Sequence, residues 1–249
     1  MRPPSRAPAA ELHGTGLEFA HVSPPDRPLT LGELLSEAVR LYSVHPGAAL
    51  GLGLVEGGAF LLARLTPDLF DVLIIALAFT GIFGAAARLV HGDTFAEAWA
   101  QVFVRAPTLL VLTFVVAVPV VIAIPFLFLL VVGALWIALM GFAIPVAMLE
   151  RDPEVKNTFD RIAYSLLRSI RLARAEYLHA LGVIAALLII YLLLGIVLAQ
   201  ALVGFAENGE VIAAAIVQVV LAPFFFLGLS VLYFEQRARV AVSSPPEAA

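Results

Sequence analysis

The sequence predicts an all-α membrane protein, with six transmembrane helices and three amphipathic helices on the cytosolic face. Three observations predict it. The chain is 61% hydrophobic and only 14% charged, against roughly half and a quarter in soluble domains, so polar surface could not cover the apolar side chains of a soluble fold. Apolar runs of spanning length recur along it. The strong bases collect in the segments that an even number of crossings places on one side. There is no cysteine, which excludes disulfides and thiolate metal sites. The net charge of −4 says less than where the charges lie.

Residues 1–28 are rich in proline and contain no apolar core of the kind a secretory signal needs. A disordered cytosolic tail is expected there, and another at 241–249. A helix needs about 20 apolar residues to cross about 30 Å of hydrocarbon. Such runs place spans near 47–65 and 71–90. The stretch 106–149 carries no charge and is twice the length of one span, so it divides into two. Pro125, in AIPFLF, is the expected hinge and Pro119 the competing one, because proline removes a helical hydrogen bond. The fifth and sixth spans fall near 179–203 and 211–234. With both termini in the cytosol, every strong base lies inside except Arg64, while Asp68, Asp71, Glu207 and Glu210 lie outside. An odd number of spans would scatter that separation. Only Lys156 is a lysine, a bias that, with so much alanine, leucine and valine, suggests a GC-rich bacterial genome.

Thr30, Thr94 and Thr158 recur at equal intervals, in TLGELL, TFAEAW and TFDRIA. Each opens an amphipathic helix. Leu31, Leu34, Leu35, Ala38 and Tyr42 make the first apolar stripe, and Phe95, Ala98, Trp99, Val102 and Phe103 the second. Phe159, Ile162, Ala163, Leu166, Leu167 and Ile170 make the third. A threonine is the natural N-cap. Thr30 with Glu33 and Thr94 with Glu97 complete capping boxes, whereas Thr158 with Arg161 does not. The membrane domain, 29–240, then divides into a surface helix and a hairpin three times, at 30–93, 94–157 and 158–240. Threonine caps are common, so a true repeat and a generic six-span pattern both remain open.

Glu56 is the least ordinary residue, a carboxylate near the middle of the first span, where it costs several kcal/mol unless neutral, paired or hydrated. Ala49 and Ala63 share its face, and Gly47, Gly51 and Gly58 share the opposite one. Small residues on both sides predict a helix packed all round, inside the bundle. Gln218, at similar depth in the sixth span, is the candidate partner. Glu56 is read either as an ion or proton site or as packing polarity. Arg161, Arg168 and Arg171, with Tyr164 among them, form a basic strip beside the third apolar stripe. That suits anionic lipid headgroups, or it is a solvated face that obeys the positive-inside rule. Pro119, Pro125, Pro145 and Pro223 lie within spans, where broken helices sometimes line transport sites. The histidines form no ligand-like pair, and no metal or cofactor motif is present. No basic, aromatic-interleaved surface suits nucleic acid.

Three passages, RPLTLGELLSEAVRLYSVHP, IPVAMLERDPEVKNTFDRIAYSLLRSIRL and APFFFLGLSVLYFEQRAR, carry a resemblance. They are similar to the bacterial glycerophosphoryl diester phosphodiesterase membrane domain family, multi-span proteins of which some members are fused to a phosphodiesterase domain. The resemblance implies a membrane domain over most of 27–239. It does not imply an enzyme. The catalytic partner is a TIM barrel of about 250 residues of its own, for which six spans leave no room, and its acidic metal-binding residues have no counterpart here. The expectation is therefore a non-enzymatic accessory or scaffold acting on membrane lipids or a partner membrane protein. The alternative is a small transporter or channel that uses Glu56. A transporter needs a cavity that reaches Glu56, and a scaffold packs it dry.

Overall fold

In the computed structural model, which describes residues 24–123, 126–150, 157–202 and 209–243, every element among those residues is helical. Helix α1, Leu31–Val44, is capped as the sequence predicts. The Thr30 hydroxyl accepts from the Glu33 N–H, and the Glu33 carboxylate accepts from the Thr30 N–H at 2.8 Å. Arg27 donates to the same carboxylate at 2.7 Å. That bond first, and the Thr30 donors after it, hold the Glu33 pKa down to about 2. The first span, α2, runs Pro46–Ala63, with its proline in the first turn, where no N–H is needed. The second, α3, runs Asp68–His91 and ends on Gly92 at φ 110°. There the Asp93 N–H reaches back to the Arg88 carbonyl at 3.1 Å, a left-handed closure that favours glycine. Thr94 then caps α4, Phe95–Val104, with a second complete capping box to Glu97.

The third span is a composite of α5, Ala106–Leu112, a π-helical turn, Thr113–Ala117, and α6, Val118–Ala123. The fourth joins α7, Leu127–Met140, to α8, Ala143–Leu149, across an offset at Gly141 and Phe142. The division between these spans lies between Ala123 and Leu127, and Pro125 itself lies outside the described residues. Pro119 does not end a span. It sits in α6 and lacks the N–H that an α-helix would return to the Val115 carbonyl. Trp136 of α7 supplies the donor instead, at 3.1 Å.

Helix α9, Thr158–Ala175, is followed by the fifth span, α10, Tyr177–Leu202, and the sixth, α11, Gly209–Ser243. Two sequence expectations are corrected here. The cap of α9 is Asn157, whose side chain accepts from the Asp160 N–H at 2.9 Å, and Thr158 is already inside the helix. The helix of the last span also continues through 241–243, which were expected as tail. At about 1.5 Å per residue, its 35 residues reach about 50 Å, well beyond the hydrocarbon.

Six helical stretches are thus long and apolar enough to cross a membrane, and α1, α4 and α9 each precede a pair of them. Helix α11 is the hub, packing against α1, α2, α3, α9 and α10. Its contact with α2 is the most extensive among the described elements, and a proline explains how near the two backbones come. Pro223 removes the N–H that would occupy the Val219 carbonyl, and that carbonyl faces Gly53. A Cβ on Gly53 would stand 1.9 Å from the Val219 oxygen, and one on Gly57 would stand 2.6 Å from the Val219 side chain. Gly53 and Gly57 form the small-x-x-x-small spacing that lets membrane helices meet backbone to backbone.

The first span is not surrounded by protein. Leu54 is 63% exposed and Leu62 52%, and Gly58 has open space beside it. The glycine side is packed only in part: Gly51 lies against the Phe95 ring, where a Cβ would stand at 2.9 Å, while Gly58 is open. The surface helices show a related reversal. In α9 the buried residues are Ile162, Ser165, Ser169, Leu172 and Ala173, while Phe159 is 82% exposed. Serine permits close approach, and Ser169 donates to the Leu139 carbonyl of α7 at 2.9 Å. Much of the apolar stripe is left to face outward. Phe103 of α4 also faces outward, at 72% exposed.

Gly53→Ala is expected to destabilise the protein by about 1–3 kcal/mol, the cost of overpacking against a backbone that cannot move aside. Gly58→Ala, beside open space, should be neutral or slightly stabilising. Thermal unfolding of the two variants in the same detergent would separate them, and equal melting temperatures would refute the assigned contact.

Candidate functional site: a chamber between the six spans

The backbone approach of α2 to α11 places polar side chains on either side of a void. Glu56 precedes Gly57, and Gln218 precedes Val219, the residues that meet at the contact. Both side chains line a chamber of about 240 Å³. Every span contributes to its wall: Glu56 from α2, Phe79 from α3, Val120 from α6, Ala134 from α7, Tyr191 from α10 and Gln218 from α11. Glu56, Tyr191 and Gln218 are the hydrogen-bonding side chains of an otherwise apolar wall. The bends of the third span shape one side, because the π-helical turn and Pro119 precede Val120 and Val121, and Trp136 ties that segment to α7. A π-helical turn interrupts the regular ladder and recurs at functional sites.

The expected pairing of Gln218 with Glu56 is not the one the structure makes. Gln218 Oε1 accepts from the Tyr191 hydroxyl, and no hydrogen bond joins Gln218 to Glu56 among the described residues. Glu56 Oε2 is buried and has no hydrogen-bond partner there. Tyr191 lines the same chamber as Glu56 and completes its polar group. Sequence reasoning missed it, although a hydroxyl in the middle of the most apolar span was a signal to be found.

The basic strip separates into three environments. Arg168 donates its Nε to Glu150 at 3.1 Å, so it is engaged within the protein and not held out toward lipid. Glu150, at the end of α8, also accepts from the Tyr164 hydroxyl at 2.9 Å and from the Tyr233 hydroxyl at 3.0 Å. One carboxylate thereby joins the fourth span, α9 and α11. Arg161 instead lines a surface pocket with Arg105, between α9 and the start of the third span. Arg171 is exposed, as is Arg174 beyond it. A second junction sits at the end of α11, where Arg239 pairs with Glu235 and Glu176 and donates to the Leu29 carbonyl at 3.0 Å. Among the described residues, no group of three His, Asp or Glu side chains is placed to hold a metal ion.

Compared with protein-family models, with curated proteins and with solved structures, the chain matches none. The family resemblance therefore stands on the quoted passages alone.

Tyr164→Phe, which removes one hydrogen bond to a charged group, should lower stability by about 1.5–3 kcal/mol, and Glu150→Ala, which also removes the bonds from Arg168 and Tyr233, by more. Chemical denaturation in detergent is the measurement. A Glu150→Ala protein as stable as Tyr164→Phe would mean that Glu150 is not the junction.

Proposed function

We propose that this is a non-enzymatic integral membrane protein of a bacterial inner membrane, which holds a small, mainly apolar molecule in the chamber between its spans. The observation that supports this reading is the chamber itself: six spans converge on an apolar space and bring three hydrogen-bonding side chains to it. Binding sites for small molecules have this composition, apolar walls with a few placed polar groups. A purely structural scaffold has no use for a void beside a mid-span carboxyl. The helices α1, α4 and α9 face the cytosol in this proposal, on the strength of the asymmetry in strong bases. Exposed Arg171 and Arg174, together with exposed Phe159, suit the surface of an anionic leaflet. An accessory role beside lipids or a partner membrane protein is compatible with the same chamber.

Transport is the second reading, favoured by the unpartnered Oε2 of Glu56, since intramembrane carboxyls that face a cavity mark ion and substrate paths. In proteoliposomes, a Glu56→Gln protein that folds normally but loses flux would support transport. Unchanged behaviour would leave holding without translocation.

Two expected outcomes follow. Reporter fusions after Arg174 and Arg239 should report the cytosol and one after Asn208 the opposite side; a single side for all three would overturn the orientation. Solvent extracts of the purified protein, examined by mass spectrometry, should contain a small molecule that is depleted when Ala134→Leu or Gly133→Val fills the chamber. Identical extracts from folded wild type and both variants would sink the chamber reading.

A further inference from the structure

Resting on the chamber as a ligand site, the geometry points to a ligand that carries a positive charge, a small aryl- or alkylammonium. Glu56 supplies the first part of the argument. Its Oε2 is buried without a hydrogen-bond partner among the described residues, and among those residues no arginine, lysine or histidine lines the chamber to serve as its counter-ion. The neighbouring polar groups do not fill that role. The Tyr191 hydroxyl donates to Gln218 Oε1, so its proton is already engaged.

The walls supply the second part. Phe60, Phe79, Phe225, Phe226 and Tyr191 all line the chamber. The guanidinium of Arg64 already covers the Phe60 ring, 5.0 Å from its centroid, which leaves the other four rings, and these hold one another in tilted or edge-on arrangements. Phe79 and Phe226 meet at 5.1 Å between centroids with 70° between planes, Phe225 and Phe226 at 5.6 Å, and Tyr191 and Phe225 at 5.8 Å. An aromatic face attracts an organic cation most strongly where water is excluded. An ammonium held by the rings also gives Glu56 the counter-charge that the protein withholds.

Other classes fit less well. A neutral hydrocarbon would occupy the walls and leave Glu56 as it is. An anion would find no basic group in the described wall to offset its charge. A hard metal ion wants six or more oxygen ligands, and the chamber offers one carboxylate with an amide and a phenol. The volume of about 240 Å³ lies below the usual range for drug-sized pockets, so the ligand is of fragment size.

The test uses the full-length protein in nanodiscs, with benzyltrimethylammonium as the cationic probe and neopentylbenzene as its neutral isostere. Affinities are read from saturation-transfer NMR at free concentrations set by dialysis. The cation is expected to bind about tenfold or more tighter than the isostere. Glu56→Gln should abolish that preference while still binding the isostere, and Glu56→Asp should retain part of it. Should Glu56→Gln fail to fold, the wild-type preference together with Glu56→Asp decides. Equal binding of both probes to wild type overturns the charge inference but leaves the chamber standing, provided that Gly133→Val weakens both. A cation preference that survives in folded Glu56→Gln also overturns it. If neither probe binds and Gly133→Val changes nothing, the chamber reading fails as well.

Discussion

Everything in this bundle is arranged around one backbone contact, that of Gly53 and Gly57 in the first span with Val219 in the last. Lipid tails are as apolar as leucine, so membrane helices gain little from burying apolar area against one another and depend on close packing. Here the packing is as close as two backbones allow, because one side has no Cβ and the other offers a carbonyl that Pro223 leaves without its usual donor. The same contact fixes the depth and rotation of α2 relative to α11. It therefore decides that Glu56 and Gln218 look into one space. The chamber is a geometric consequence of two glycines and a proline.

Proline does similar work in the third span. The Val115 carbonyl, deprived of a donor by Pro119, takes one from Trp136 on the neighbouring span. In each case a defect in one helix becomes a point of attachment for another. Unsatisfied backbone groups are costly in hydrocarbon, and the fold resolves both by contact between helices.

The sequence made the architecture legible because its signals are local or additive. Six apolar runs, the two capping boxes at Thr30 and Thr94, and the division of 106–149 into two spans could all be read along the chain. The faces of the helices were much less legible. In a soluble protein an apolar stripe points to the core, but in a membrane it points equally well to lipid. That ambiguity explains why Ser165 and Ser169 of α9 turn inward while Phe159 faces outward. It also explains why the small residues on several sides of the first span predict a helix inside the bundle when Leu54 and Leu62 are exposed. Overlapping glycines concealed the pair that mattered. Polar partnerships across long sequence distances were the least legible, since nothing local links Tyr191 to Gln218 or Glu150 to Tyr233.

The separation of Gly53 from Val219 along the chain has a further meaning, because a membrane protein is threaded into its bilayer from the N-terminus. The first span enters with its glycine face vacant, and the surface that fills it lies on the sixth, made well after it. Arg239 repeats this order at the membrane surface, where it joins Glu176 and the carbonyl of Leu29, the latter from the earliest described part of the chain. Assembly thus ends with a clasp and not with a nucleus. A chain that stops before α11 has its hairpins but lacks the helix against which α1, α2, α3, α9 and α10 all pack.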